Sequence, residues 1–199
     1  MDLPPPDARP SGVLFDRRSG TRPTDMDCGG SLPRNTSQQC SEDSTADDAR
    51  LFGFESELEA NLTYIPMAVR FKLDKCGIKL SLAQWHQLPD NERRNLLETS
   101  CVNGADIARY GQALCRLIKE IIGDDPQRMP ISANPAWEEL ELPSQIANKA
   151  LQLGIRAPSP KQWRGLSALQ RFALLKVSRA GNDNRNLVPA LREFGLASA

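Results

Sequence analysis

Apolar positions along this chain fall into short helical groups separated by stop and start signals, and the grouping occurs twice. The stretch "IPMAVRFKLDKCGIKLSLAQWHQLPDNERRNLLE" (65–98) is echoed by "LPSQIANKALQLGIRAPSPKQWRGLSALQRFALLK" (142–176). At an offset of 77, Pro66 matches Pro143, Val69 matches Ile146, Lys72 matches Lys149, Leu73 matches Ala150, and Cys76-Gly77-Ile78 matches Leu153-Gly154-Ile155. After a one-residue insertion the offset is 78, and Gln84-Trp85, Leu88, Arg93 and Leu96-Leu97 match Gln162-Trp163, Leu166, Arg171 and Leu174-Leu175.

Each shared residue has a physical reason. Pro66 and Pro143 suit a helix start, where a missing N–H costs nothing. Gly77 and Gly154 suit the residue after a helix, where φ turns positive, and Ile78 and Ile155 follow as the apolar cover of the last turn. Ser81-x-x-Gln84, Ser159-x-x-Gln162 and Ser167-x-x-Gln170 read as capping boxes, each worth about 1 kcal/mol. The pattern predicts an all-α domain built from two related capped-helix units, residues 62–101 and 140–179. Each unit is a helix, a glycine stop, a short Trp-bearing helix and a Leu-rich helix. Trp85 and Trp163 are read as core.

Between the units, Ile107, Leu114, Leu117, Ile118 and Ile121 mark an apolar stripe of helical period that ends at Gly123. Gly104, Ala108, Gly111 and Cys115 form a small-residue stripe suited to close approach by another helix. A Pro-rich connector anchored by Trp137 follows, and a last helix is expected near 187–194. Alternating β-branched runs with hairpin dipeptides are absent, so strands are not expected. "RLFGFESELEANL" (50–62) reads as a short helix or extended arm, with Phe52, Phe54, Leu58 and Leu62 inward and Glu55, Glu57 and Glu59 facing water. Residues 1–48 are rich in Pro, Gly, Ser and Asp without apolar period. They are expected to form a disordered tail before an all-α domain at 49–199; Met26 is an alternative start.

The net charge is zero, yet residues 149–199 hold nine Lys/Arg against two Asp/Glu, a surplus of seven. Such a basic quarter can steer an acidic partner. No apolar run is long enough to span a bilayer and no secretory h-region is evident, and an odd number of irregularly spaced cysteines suits a reducing cytoplasm. The five cysteines have irregular spacing and no CxxC pair. Neither a disulfide framework nor a zinc pattern emerges, although Cys76, Cys101, Cys115 and His86 supply ligand types for a cysteine-based metal carrier. Glycine-rich phosphate cradles are absent, and with one histidine no Ser–His–Asp arrangement can be composed. No catalytic, metal or cofactor residue is assigned. A nucleic-acid binder using the basic quarter is the other alternative, against which stand the neutral chain and aromatics that read as structural.

The two units differ at four positions of their first helices. Met67, Arg70, Phe71 and Asp74 stand where the second unit has Ser144, Ala147, Asn148 and Leu151. Met67 and Phe71 share a face, so that face is expected to be covered, either by the arm at 52–62 or by a partner. The partner surface read from these differences is Met67, Arg70, Phe71 and Asp74, with Lys161, Arg164 and Arg171 supplying steering.

"FGFESELEANLTYIPMAVRFKLDKCGIKLSLAQWHQLPDNERRNLLE" (52–98) resembles the opening of the nitrate reductase-associated protein family. These are small bacterial proteins encoded near assimilatory nitrate reductase. The likeness covers most of 52–195 and is strongest in "IPMAVRFKLDKCGIKL". The resemblance implies a cytoplasmic, non-catalytic accessory factor whose partner is nitrate reductase, an enzyme with a molybdenum cofactor and an iron–sulfur cluster. The step supported would be maturation, cofactor insertion or stabilisation. The family carries no catalytic motif to transfer.

Overall fold

The computed structural model describes residues 49–58, 62–179 and 185–197, all within the compact unit Thr36–Ala199. The expected tail, 1–48, lies outside the described residues. A 3₁₀ turn at Gly53–Leu58 opens the fold. Eight α-helices follow among the described residues: α1 (Met67–Cys76), α2 (Leu82–Gln87), α3 (Asp90–Glu98), α4 (Gly104–Leu117), α5 (Ser144–Gln152), α6 (Pro160–Arg164), α7 (Ala168–Val177) and α8 (Leu187–Glu193). The protein is mostly helical. One antiparallel ribbon corrects the expectation of no strands: β1 (Ile78–Lys79) pairs with β2 (Gln127–Arg128), Ile78 opposite Arg128 and Lys79 opposite Gln127. The ribbon is what the connector does with its backbone, and Met129 N–H extends it by donating to the Gly77 carbonyl.

Local signals fix the helix ends. Ser81, Ser159 and Ser167 each accept from the backbone N–H three residues on, and the Gln at that position reaches back to the cap's own N–H, completing three capping boxes. Gly77 and Gly154 both sit at φ +65°. Trp85 and Trp163 are fully buried. Trp85 Nε1 donates to the Leu62 carbonyl at 2.6 Å and Trp163 Nε1 to the Glu139 carbonyl at 3.0 Å.

The core lies in two adjoining clusters. The larger gathers Phe52, Val69, Phe71, Leu73, Trp85, Tyr110, Leu114 and Ile118; the smaller gathers Ile146, Trp163, Leu174, Leu187 and Leu191. Helix α7 belongs to both, sending Leu169, Phe172 and Ala173 into the first and Leu174 and Val177 into the second. Helix α4 packs on α1, with Gly111 as the point of closest approach: a Cβ there would meet Cys76 Cβ at 3.4 Å. Only the Gly111 end of the small-residue stripe is used this way, since Gly104 and Ala108 are exposed.

The apolar stripe on α4 ends differently from its expected period. Residues Ile118–Ile122 form a π turn, closed by Gly123 N–H donating to the Ile118 carbonyl. The wider turn inserts one residue into the period. Ile121 is therefore turned outward, 41% exposed, and Ile122 packs on the core in its place.

The two stop glycines are not equivalent, which yields a first prediction. A Cβ at Gly154 would meet nothing within 4 Å, whereas one at Gly77 would lie 2.6 Å from Ile131 Cγ1 and 2.9 Å from the Met129 carbonyl. Gly154→Ala should cost only the left-handed strain, about 1 kcal/mol. Gly77→Ala should cost a further ~1–2 kcal/mol for the crowding of the β1–β2 turn. Urea unfolding of both variants checks this, and equal midpoints would refute it.

Candidate functional site

The site is built on α1, where the connector, β1 and α7 converge. Phe71 points inward: it is 6% exposed, edge-on to Trp137 with ring centroids 5.7 Å apart, and 5.2 Å from Phe172. Trp137 in turn meets Phe172 edge-on at 5.2 Å. This aromatic triad pins α1 to α7 through the connector. The cover expected over Phe71 is thus Trp137 and Phe172, not the arm at 52–62. The arm does reach Met67. That residue is half-buried against both core clusters, and its N–H donates to Glu55 Oε1 at 2.9 Å.

Glu55 corrects an expectation. Its acidic, alternating surroundings predict a side chain in water, yet it is 6% exposed. Pro66, at the N-cap of α1, offers no side-chain cap, so a carboxylate from the arm takes that place. Its Oε2 is buried with no hydrogen-bond partner among the described residues. Burial, only partly opposed by hydrogen bonding and by the Arg70 charge, pushes the carboxyl pKa up to about 7. The arm is held from its other side by Glu193 of α8, whose two carboxylate oxygens accept from Gly53 N–H at 2.9 Å and Phe54 N–H at 3.0 Å. Phe52 and Phe54 stack against each other and meet Phe194 edge-on beside this clamp.

The charged half of the expected surface faces outward. Arg70 is exposed, and its Nε donates to the Ile65 carbonyl at 2.9 Å. Asp74, one turn on, pairs with Lys176 of α7 at 2.6 Å, both side chains about four-fifths shielded from solvent. Arg70, Asp74, Lys176 and Lys79 border a groove of about 340 Å³, whose apolar walls include Leu80, Leu82 and Met129. Lys176 joins the site from 102 residues away, a contact no local pattern announces.

The three steering residues separate. Lys161 and Arg164 are exposed on α6, with Arg164 Nε bonded to the Pro160 carbonyl of its own turn. Arg171 is buried, and its Nε donates to the Trp137 carbonyl at 2.7 Å, so it fixes the connector from behind. With Arg171 turned inward and Lys176 paired to Asp74, the basic face of the last quarter is thinner than its charge count implied. A second groove, about 480 Å³, lies beside α6 between Arg156, Gln162 and Leu196.

Among the described cysteines, Cys76 and Cys101 are packing residues and Cys115 is half-buried. Cys76 and Cys101 are buried, and burial pushes the Cys76 thiol up to about 11, which keeps it protonated near neutrality. His86 Nε2 lies 2.7 Å from the Thr63 carbonyl. Among the described residues no group of three or more His, Cys, Asp or Glu is placed to hold a metal ion. No described helix is long and apolar enough to cross a membrane.

What this geometry defines first is a class: a mostly helical protein with the Cys76 and Cys101 thiols withdrawn into the core and a charged, apolar-walled groove on one face. The family model for the conserved nitrate reductase-associated protein matches residues 51–194, and the chain belongs to that family. Its description associates the family with nitrate reductase. No curated protein and no solved structure matches the chain.

Proposed function

We propose that the protein is a non-catalytic accessory or maturation factor that supports assimilatory nitrate reductase in the cytoplasm by direct protein contact. Arg70 and Asp74 form its contact surface at the groove, with half-buried Met67 at the edge. Phe71 and Arg171 hold that surface from behind, and Lys161 and Arg164 steer the encounter. The observation that carries this reading is the divergence of the two first helices. Where α1 borders the groove with Arg70 and Asp74, α5 has Ala147 and Leu151, and Leu151 is left 78% exposed.

Two further features support treating the units as copies of one ancestral unit. The Trp of each bonds a backbone carbonyl 23 or 24 residues upstream. The third helix of each receives a side-chain donor from its unit's first helix, Lys72 on the Leu97 carbonyl and Gln145 on the Leu175 carbonyl. Charged side chains present in one copy alone, at positions the other folds without, support a role for this helix beyond folding, although Asp74 also ties α1 to α7.

Loss of the gene should impair growth on nitrate and leave growth on ammonium unchanged. In the deleted strain, a chain carrying Arg70→Gln should fold normally yet bind nitrate reductase about tenfold more weakly, the effect of losing one interface anchor. Lys161→Glu with Arg164→Glu should slow association and flatten its salt dependence. Equal growth of the deleted strain on both nitrogen sources overturns the reading.

A further inference from the structure

Arg70 and the groove beside it are composed for a particular kind of contact. Asp74 and Lys176 largely cancel each other's charge at 2.6 Å. The border of the groove still carries three cations against one carboxylate, and Arg70, though it feels the charges of Glu55 and Asp74, forms no direct ion pair with either. The Nε–H of Arg70 is tied to the Ile65 carbonyl, which fixes the plane of the guanidinium. Its two terminal nitrogens have no hydrogen-bond partner among the described residues, and they form the edge of a guanidinium that matches a planar carboxylate with two parallel bonds. Across the groove stand apolar side chains: Leu82, 37% exposed, with Met129 half-buried and Leu80 below. Methionine and leucine beside an arginine make an adaptable apolar seat next to a directional polar anchor.

We propose that this groove receives a short segment of a protein partner in which a carboxylate side chain neighbours an apolar one. The carboxylate sits on the free edge of Arg70, with Lys79 adding charge, and the apolar side chain enters between Leu82 and Met129. The inference rests on the partner-binding reading above and deepens it by naming what the partner presents. Charge complementarity selects the occupant: a basic segment would meet a border of three cations against one carboxylate, and a wholly polar one would leave Leu82 and Met129 in water. The groove's volume, about 340 Å³, holds a few side chains rather than a folded element.

The test uses the full chain, isotope-labelled for NMR, with two probes: acetyl-Leu-Asp-Leu-amide and its neutral twin acetyl-Leu-Asn-Leu-amide. The Asp peptide should shift the Arg70 Nε–H signal and the methyl signals of Leu82 and Met129. The Asn peptide should bind roughly five- to tenfold more weakly, and Arg70→Gln should erase the difference between them. Failure of the Asp peptide to move these signals, equal response to both peptides, or an Arg70→Gln chain that still discriminates would each overturn the proposal. Sodium nitrate shifting the same signals as strongly as the Asp peptide would overturn it in favour of a small free oxyanion. Capture of nitrate reductase by the same chain separates the two claims. Capture without peptide discrimination removes the groove inference and keeps the partner reading, and discrimination without capture does the reverse.

Discussion

Lys72→Met should cost the fold on the order of 2–4 kcal/mol, while Lys149→Met, the same change at the matching position of the second unit, should fall within about 0.5 kcal/mol of no effect. Lys72 is fully buried, and its Nζ donates to the carbonyls of Leu97 and Thr99, each at 2.7 Å. Those carbonyls sit at the C-terminal end of α3, where a helix leaves its acceptors without intrahelical donors. Methionine fills the space of the aliphatic stem but supplies no donor, so the buried Leu97 carbonyl is left unsatisfied at ~1–3 kcal/mol and the Thr99 carbonyl, in a part-buried hydrogen bond, loses a charged donor. Relief from burying a charged amine returns part of that loss, which is why the expected figure lies below the sum. Lys149 is half-buried and donates only to the Gln152 side chain at 3.2 Å. Thermal or urea unfolding of the two variants reads the contrast directly. Equal losses would mean that the lysines do the same job in both units and that the end of α3 is satisfied in another way.

That contrast marks the boundary of what the sequence discloses. The two lysines align, and nothing local distinguishes them, because the acceptors of Lys72 lie 25 and 27 residues away. What proved legible is what the chain settles within a few residues of itself. The capping boxes at Ser81, Ser159 and Ser167 close over three residues, and the positive φ of Gly77, Gly123 and Gly154 follows from the helices they end. Burial of Trp85 and Trp163 followed from their size, and Trp137 anchors the connector while half-buried. Ile121 was misplaced because period arithmetic has no term for a π turn. Glu55 was misplaced because its neighbours are acidic and polar, while the group that draws it inward is the N–H of Met67, 12 residues on.

The candidate site divides along the same line. Comparing the units singles out Arg70 and Asp74, which the fold sets on the border of the groove, since a charged residue in one copy only is visible without any structure. It also picked Phe71, and the basic quarter brought in Arg171; both serve packing, one closing the aromatic triad and the other holding the connector. Lys176 and Lys79 complete the groove, and no pattern named them for it, because the groove is made by α7 and β1 being brought beside α1. The clamp of Glu193 on the arm, across 140 residues of sequence, was equally hidden.

Glu55→Gln should make the protein more stable at pH 8 than the natural chain, by on the order of 2–3 kcal/mol, and should flatten its stability between pH 5 and 8. The carboxyl titrates at about 7 in the fold against an ordinary 4.5, so the folded state holds its proton where the unfolded state has released it. Below pH 4.5 both states are protonated and the group contributes nothing. As pH rises from there to 7 the folded state binds more protons than the unfolded one, and stability falls. Above 7 the loss is complete, because the fold then carries an ionised carboxylate whose Oε2 is buried without a partner. Glutamine keeps the oxygen that accepts from Met67 N–H and never ionises, which removes the loss. The charge of Arg70 pulls the Glu55 pKa down while that of Glu193 pushes it up. Arg70→Gln removes that downward pull and leaves Glu193 in place, so it should carry the Glu55 pKa, and with it the end of the stability loss, to higher pH. Stability measured by urea unfolding at half-unit steps from pH 5 to 8 separates the three chains. Identical slopes for the natural protein and Glu55→Gln would place the Glu55 carboxylate in water and detach the arm from α1.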